Sequence, residues 1–182
     1  MPIRRQTGTP AFARPDLASR PGGGFPNADT AYLYADVTPP SDRQVVVIHG
    51  KAPRTARGSH PAPWPATGKD ARYWSMCTNL TVPPYQVVAN PLPGGTSDYG
   101  CRTDDQTEHD ADARYSYVVG RESQRRAIEK APGVTFLPFS RAQPTAVHRI
   151  ILRNMVADGG FAEAVQNVTP YEPTPRGRVA DR

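Results

Sequence analysis

Residues 31–37 read Ala-Tyr-Leu-Tyr-Ala-Asp-Val. The alternation puts both tyrosines and the aspartate on one side of an extended chain, and the leucine, an alanine and the valine on the other. This is the pattern of a strand with one buried face. Residues 45–49 read Val-Val-Val-Ile-His, a continuous β-branched run typical of a strand that is buried on both faces. The two stretches predict a protein built on β-sheets.

Six further β-favouring runs follow, separated by turn residues, at 72–79, 85–90, 99–102, 114–119, 134–137 and 147–155. Eight short strands with turns between them predict a mostly β fold, an antiparallel β-sandwich similar to a jelly roll. One or two short helices interrupt the strands. We expect them at 123–131, which ends before Pro132-Gly133, and at 161–166.

The composition sets the domain organisation. The 182 residues include 21 prolines and 15 glycines, which exclude a helical bundle or coiled coil. Residues 1–26 are rich in Pro, Gly and Arg and predict a flexible leader, whereas the proline-rich residues 170–182 predict a disordered tail. The β-sandwich domain is then expected at 27–169. No apolar run approaches the ~20 residues of a membrane helix, so we expect no transmembrane segment.

The formal net charge of +5 is unevenly distributed, because both termini are rich in arginine and the centre is acidic. The sequence contains no zinc-finger spacing, helix-turn-helix pattern or interleaved aromatic and basic residues, and we therefore expect no nucleic-acid partner. The alternative is nucleic-acid binding by the basic tails, and it predicts an affinity that falls steeply with salt.

An acidic segment at 104–112 offers carboxylates that could hold Ca²⁺. Its spacing does not match an EF-hand loop, and we interpret it as a solvated turn that Asp110 or Asp112 closes with its own side chain. His109, Asp110 and Asp112 remain weak metal candidates, although the histidines as a set lack metal-ligand spacing. No cofactor is expected.

Catalytic motifs are also missing from the sequence. Ser75 has no Gly-x-Ser-x-Gly elbow around it, and neither a Walker loop nor a dinucleotide fingerprint occurs. We therefore predict a protein that is not an enzyme. The alternative is a metal-assisted hydrolase that uses His60, His109 and nearby carboxylates.

Loops are the expected binding surface, because loops on rigid sandwiches carry recognition. The loop at 51–69 is long and proline-rich and carries His60 and Trp64, and a loop of this length is either functional or a surface excursion. Together with the acidic loop it is the predicted site for an unknown small ligand or envelope component.

Four arginines lie in or beside predicted strands, namely Arg72, Arg114, Arg149 and Arg153, and of these Arg72, Arg114 and Arg153 are the other binding candidates. A guanidinium in a sheet must be paired or lie at an edge. One functional interpretation has such an arginine grip a carboxylate, a phosphate or a sugar acid. The structural alternative pairs Arg153 with a carboxylate such as Asp36.

Cys77 and Cys101 are the two cysteines, and each lies in a predicted strand. A cross-strand disulfide is geometrically plausible, and a pair of buried free thiols is the alternative. The spacing fits no zinc or redox motif, since those need closely paired cysteines.

Several short motifs carry a family resemblance through their order and spacing. They are Asn-Ala-Asp-Thr-Ala-Tyr at 27–32, Arg-Tyr-Trp-Ser-Met-Cys at 72–77, Asp-Ala-Arg-Tyr-Ser-Tyr-Val-Val at 112–119, Thr-Phe-Leu-Pro at 135–138 and Ile-Ile-Leu-Arg-Asn-Met at 150–155. The series resembles a group of uncharacterised exported proteins of actinobacteria and, more distantly, the bacterial domains of unknown function numbered 1254 and 1214. The likeness covers about residues 27–168.

The resemblance implies a β-sandwich or jelly-roll domain that is usually exported. In the closer group, cysteines occur at places matching Cys77 and Cys101, which favours the disulfide. The resemblance implies no reaction. We therefore expect a non-catalytic protein, secreted or in the cell envelope, that binds its ligand or partner through loops. Residues 1–26 contain no apolar core of a signal peptide, and a cytoplasmic location is the alternative.

Overall fold

The computed structural model describes residues 12–13, 30–56, 66–157 and 174–176. The fold is mostly β, as predicted. The strands are β1 (Thr30–Val37), β2 (Val46–Lys51), β3 (Ala71–Leu80), β4 (Ala89–Pro91), β5 (Ser97–Tyr99), β6 (Cys101–Thr103), β7 (Arg114–Gly120), β8 (Thr135–Pro138), β9 (His148–Ala157) and β10 (Thr174–Arg176). Short 3-10 turns cover Asp104–Gln106 and Glu122–Gln124, and one short helix, α1, covers Arg125–Ile128. The second helix predicted at 161–166 lies outside the described residues.

Two four-stranded sheets pack face to face. Sheet A has the order β1-β9-β3-β6 and is antiparallel throughout, sheet B has the order β10-β2-β7-β8, and β4 and β5 form a separate hairpin. One pair departs from the antiparallel prediction, because β7 and β8 are parallel. Parallel neighbours need a long crossover connection, and residues 121–134, which include α1, supply it.

Alternating side chains fill the space between the sheets. In β1, Leu33, Ala35 and Val37 are buried, as their alternation predicts. Further core side chains come from both sheets, namely Trp74, Met76, Ile150 and Leu152 from sheet A and Ile48, Tyr115, Tyr117, Val119 and Leu137 from sheet B. The continuous apolar run of β2 is also explained, since Val47 and Ile48 point to opposite faces and both are buried.

The two cysteines form a disulfide on the outer face of sheet A. Cys77 on β3 lies directly opposite Cys101 on β6, and their sulfur atoms lie 2.01 Å apart. The free-thiol alternative is therefore wrong. Because β6 has only three residues, the bond attaches a very short edge strand to the sheet.

Parts of the predicted leader and tail take part in the fold. Ala13 exchanges two backbone hydrogen bonds with Tyr34, each 2.9 Å long, and Phe12 packs against the core. Residues 174–176, inside the predicted disordered tail, form β10 and pair with β2. The physical reason is that the outer edges of β1 and β2 present backbone groups that any extended segment can pair with.

A network of ion pairs connects β5, β6 and α1. The Asp98 carboxylate contacts Arg102, at 3.0 Å, and Arg125. Arg125 also contacts Glu122 and Glu129. Burial by itself raises the pKa of the Asp98 carboxyl, but hydrogen bonds from the two arginines and their positive charges outweigh it, so this pKa lies below its ordinary value of 3.8. The Asp98 network thus ties the β4–β5 hairpin to β6 of sheet A and to α1.

His148, at the start of β9, is a buried structural histidine. It is 0% exposed. Its Nε2 accepts a hydrogen bond from the Ser140 N–H at 3.0 Å, and its Nδ1–H donates to the Ala146 carbonyl at 2.9 Å. Burial lowers the pKa of His148, and the charge of Arg121 lowers it further, against the opposing hydrogen bond to Ala146.

We expect the protein to lose stability on mild acidification because of His148. The unfolded chain protonates this imidazole near its ordinary pKa of 6.5, whereas the folded protein holds it neutral. The stabilisation is thus complete above about pH 6.5 and is lost as the pH falls from there towards the lower pKa of the folded state. Urea unfolding between about pH 7 and pH 5 measures this slope. The slope should flatten in His148→Gln and persist in the exposed control His109→Gln; equal slopes in both variants would refute the assignment.

Candidate ligand-binding site at one end of the sandwich

Both predicted recognition loops emerge at the same end of the sandwich. The first connects the end of β2 to the start of β3, and the second leads into the start of β7. Trp74, near the start of β3, stacks on Tyr115, near the start of β7, with ring centroids 5.0 Å apart. The two strand starts are therefore close together, and we call this end of the molecule the loop end.

A buried hydrogen bond joins the two loops. The Thr55 hydroxyl donates to the Asp104 carboxylate at 2.6 Å, and both residues are buried. Thr55 also forms a backbone bridge with Ala71. The prediction of a solvated acidic loop is thus wrong for Asp104, because its carboxylate forms this hydrogen bond inside the protein. This hydrogen bond holds the two loops together close to the strands from which they emerge.

An ion pair closes the first loop at its root. The Arg54 guanidinium donates two hydrogen bonds to the Asp70 carboxylate, at 2.8 and 3.1 Å, and the Arg54 backbone N–H adds a third at 2.8 Å. The loop residues 57–65, with the predicted ligand residues His60 and Trp64, lie outside the described residues.

The acidic turn is closed as predicted. The Asp110 carboxylate accepts hydrogen bonds from the backbone N–H of Asp112, at 2.9 Å, and of Arg114, at 2.8 Å. His109 forms a backbone bridge with Tyr115, and Asp112 is exposed. Within the described part of the chain, no three His, Cys, Asp or Glu side chains come together in a group that could hold a metal ion.

The three candidate arginines all lie towards the loop end, but on different surfaces. Arg72 is exposed at the start of β3, and Arg114 is exposed at the start of β7, where it lies directly opposite Lys51. Arg153 lies on the outer face of sheet A. The structure therefore does not bring the three guanidinium groups into one cleft.

Arg153 is partly buried among uncharged neighbours. Its register partners are Tyr32 on β1 and Ser75 on β3, and its guanidinium carbon lies 5.4 Å from the centre of the Tyr32 ring. Its buried Nε has no hydrogen-bond partner in the described structure. Neither does a described carboxylate lie within ion-pair distance of Arg153. Sequence reasoning singled out Arg153 but missed Tyr32 and Ser75, which only the strand register places beside it.

The partner predicted for Arg153 belongs to another arginine. Asp36 forms a two-pronged ion pair with Arg149, at 2.6 and 2.7 Å. Arg149 lies over the rings of Tyr34, at 4.2 Å, and Tyr85, at 5.3 Å. The hydrogen bond to Asp36 raises the pKa of Arg149. The pairing of Arg153 with Asp36 is wrong because the register puts Arg149, four residues earlier on the same face, directly opposite Asp36.

Solved structures of other bacterial proteins are similar to this fold. No family model and no curated protein matches the chain. An uncharacterised protein from Burkholderia cenocepacia is similar in structure, with 16% sequence identity and a TM-score of 0.50 over 93% of this chain. A protein from Vibrio parahaemolyticus is similar over 86% of this chain, with 20% identity and a TM-score of 0.51. The chain spans about a third of each of these proteins, 34% and 32% respectively.

Among the residues that the structure describes, no helix is both long and apolar enough to cross a bilayer.

Proposed function

We propose that the protein is a non-catalytic binding module, secreted or held in the cell envelope, that recognises an anionic group at the loop end. The group is a carboxylate or a phosphate on a small ligand or an envelope component. Arg153 is the residue that contacts it. A jelly-roll strand order and membership of the exported actinobacterial group remain part of the same proposal.

The contrast between Arg153 and Arg149 carries the proposal. Both arginines project from the outer face of sheet A, and both lie near tyrosine rings. Arg149 is neutralised by Asp36, whereas the described residues give Arg153 no carboxylate. A partly buried cation without a counter-charge is unfavourable by itself, and its planar guanidinium is well suited to grip a carboxylate or phosphate with two hydrogen bonds. An anionic ligand would neutralise the guanidinium of Arg153 as Asp36 neutralises that of Arg149.

Further positive charge at the loop end supports an anionic ligand. Lys51 and Arg114 lie directly opposite each other on β2 and β7, and like charges in this position destabilise a sheet. Neither has an ion-pair partner among the described residues. Both charges belong to sheet B and do not lie beside Arg153. Their contribution is to attract an anion towards this end of the molecule and so to raise the rate of ligand encounter.

The disulfide supports the proposed location. Disulfides persist in oxidising compartments such as the periplasm and the cell exterior and are rare in the cytoplasm. A domain that is attached to its short edge strand by Cys77–Cys101 is suited to such a place. Reaching such a compartment requires an export route.

Replacing Arg153 with glutamine should abolish anion binding at this face. We expect citrate and inorganic phosphate, titrated separately into isotope-labelled protein, to shift the amide NMR signals around residues 151–155 saturably. In Arg153→Gln the shifts should disappear, or the affinity for each anion should fall at least tenfold. Glutamine keeps hydrogen-bonding capacity but loses the charge and the bidentate geometry.

Arg126→Gln is the matched control, because Arg126 is exposed on α1 and its loss changes the net charge by the same amount. It should bind both anions as the wild type does. Equal weakening in the two variants would mean a general charge effect, and no saturable shift in the wild type would exclude an anion site at Arg153; either result overturns the proposal.

A further inference from the structure

Three polar atoms in the space between the sheets have no hydrogen-bond partner among the described residues. They are the indole Nε1 of Trp74, the hydroxyl of Tyr115 and the side-chain carbonyl oxygen of Asn154. The three side chains are 0%, 2% and 7% exposed respectively. Buried polar groups in native proteins are almost always paired, so each exception needs an explanation. We call these residues the polar cluster.

The polar cluster draws on both sheets. Trp74 on β3 and Asn154 on β9 are direct register partners on the inner face of sheet A. Tyr115 reaches them from β7 in sheet B, and its ring stacks on Trp74 with centroids 5.0 Å apart. The edge of Tyr117 closes the aromatic wall, 6.1 Å from Trp74. The three unpaired atoms are thus carried by side chains gathered at the loop end of the interior.

The other buried polar groups that the structure describes in the interior have hydrogen-bond partners. The Thr78 hydroxyl donates to the Pro138 carbonyl at 2.9 Å. Both ring nitrogens of His148 are paired, and the Tyr117 hydroxyl is hydrogen-bonded to Thr107. The Oδ1 of Asn79 and the Nε of Arg153, both on the outer face of sheet A, are also unpaired. Within the space between the sheets, however, the unpaired atoms of the described residues lie at the loop end, which indicates a common partner there.

The chemistry of the three atoms defines what that partner must be. An indole N–H only donates, an amide oxygen only accepts, and a phenol does both. A single hydroxyl can accept from Trp74 and donate to Asn154. No member of the cluster is charged. Burial strongly raises the pKa of the Tyr115 hydroxyl, because these apolar surroundings disfavour a charged group. A charged ligand would therefore bind unfavourably here.

We infer that the polar cluster binds a hydroxyl group, supplied either by a buried water or by a small uncharged hydroxylated molecule. This site is internal and independent of the proposed anion site at Arg153. Gly50 contributes to it from β2, because a Cβ at this position would overlap the Tyr115 hydroxyl. The absence of a side chain at Gly50 lets the hydroxyl of Tyr115 occupy its position beside the β2 backbone.

The indole protons provide a direct test, since the chain has two tryptophans and Trp64→Phe assigns their two NMR signals. One arm of the experiment looks for magnetisation transfer between the Trp74 indole proton and a long-lived water. The other arm titrates glycerol. A water contact identifies bound water as the source of the hydroxyl, and a saturable shift of the Trp74 signal identifies a hydroxylated ligand; both support the inference.

Two variants connect either signal to the cluster. Tyr115→Phe removes only the hydroxyl, and Asn154→Leu keeps the side-chain shape while removing the acceptor. Each should weaken glycerol binding at least tenfold or abolish the water contact, whereas Tyr99→Phe, at an exposed tyrosine, should change neither. The inference is overturned if the Trp74 proton contacts no water and shows no saturable shift, or if Tyr115→Phe behaves like the control.

Discussion

Replacing Cys77 and Cys101 together with serine should lower the free energy of unfolding by roughly 3.5 kcal/mol. The two cysteines are separated by 24 residues, and the bond limits the conformations that the unfolded loop between them can adopt. The stabilisation therefore acts mainly by raising the free energy of the unfolded chain. Urea denaturation of the oxidised wild type and of the double variant measures the difference.

Reduction of the wild-type protein is the matched control for the double variant. Intact-mass measurement before and after reduction should show a gain of two hydrogen atoms. The reduced protein and the serine variant should then have similar stabilities, and amide exchange in β6 should accelerate in both. A serine variant as stable as the oxidised wild type would contradict a role for the bond in stability.

Asp98→Asn should lower the free energy of unfolding by about 2–3 kcal/mol. The substitution leaves Arg102 and Arg125 partly buried without their shared carboxylate, and Arg125 keeps only Glu122 and Glu129. The side chains of Arg102 and Arg125 are 17% and 20% exposed, so solvent relieves part of the penalty, and the expected loss is below that of a fully buried pair. Thermal and urea unfolding near neutral pH measure it.

The same substitution has a predictable dependence on pH. The pKa of Asp98 is lower in the folded protein than the ordinary value of 3.8, so its stabilisation is complete above about pH 4 and is lost as the pH falls through the folded value. The stability difference between wild type and Asp98→Asn should therefore shrink in acid. Asp112→Asn, at an exposed carboxylate, is the control and should cost little; a difference that stays constant with pH would contradict the assignment.

The strand pattern could be predicted from the sequence because burial leaves a period of two in the chain. Leu33, Ala35 and Val37 show it in β1, and the unbroken run of β2 indicated two covered faces. The parallel pairing of β7 with β8 could not be predicted, because nothing in either strand differs between parallel and antiparallel neighbours.

The alternation of residues along a strand does not show which side chains on one sheet face pair with each other. Arg149 and Arg153 lie on the same side of β9, so alternation assigns them equal access to Asp36. Only the register between β1 and β9 distinguishes them. The polar cluster escaped prediction for a related reason, since a sequence does not show which buried polar atoms the fold leaves without a partner.

The position of Pro175 has a consequence for how the protein behaves at high concentration. The three residues of β10 form the outer edge of sheet B, and Pro175 lies opposite Ile48 in the middle of the strand. Exposed edges are templates on which further chains can add strands and aggregate. Proline has no backbone N–H, and on an edge strand that missing donor faces outward. An incoming chain would lose a hydrogen bond at the centre of this edge, which protects the protein against edge-to-edge association.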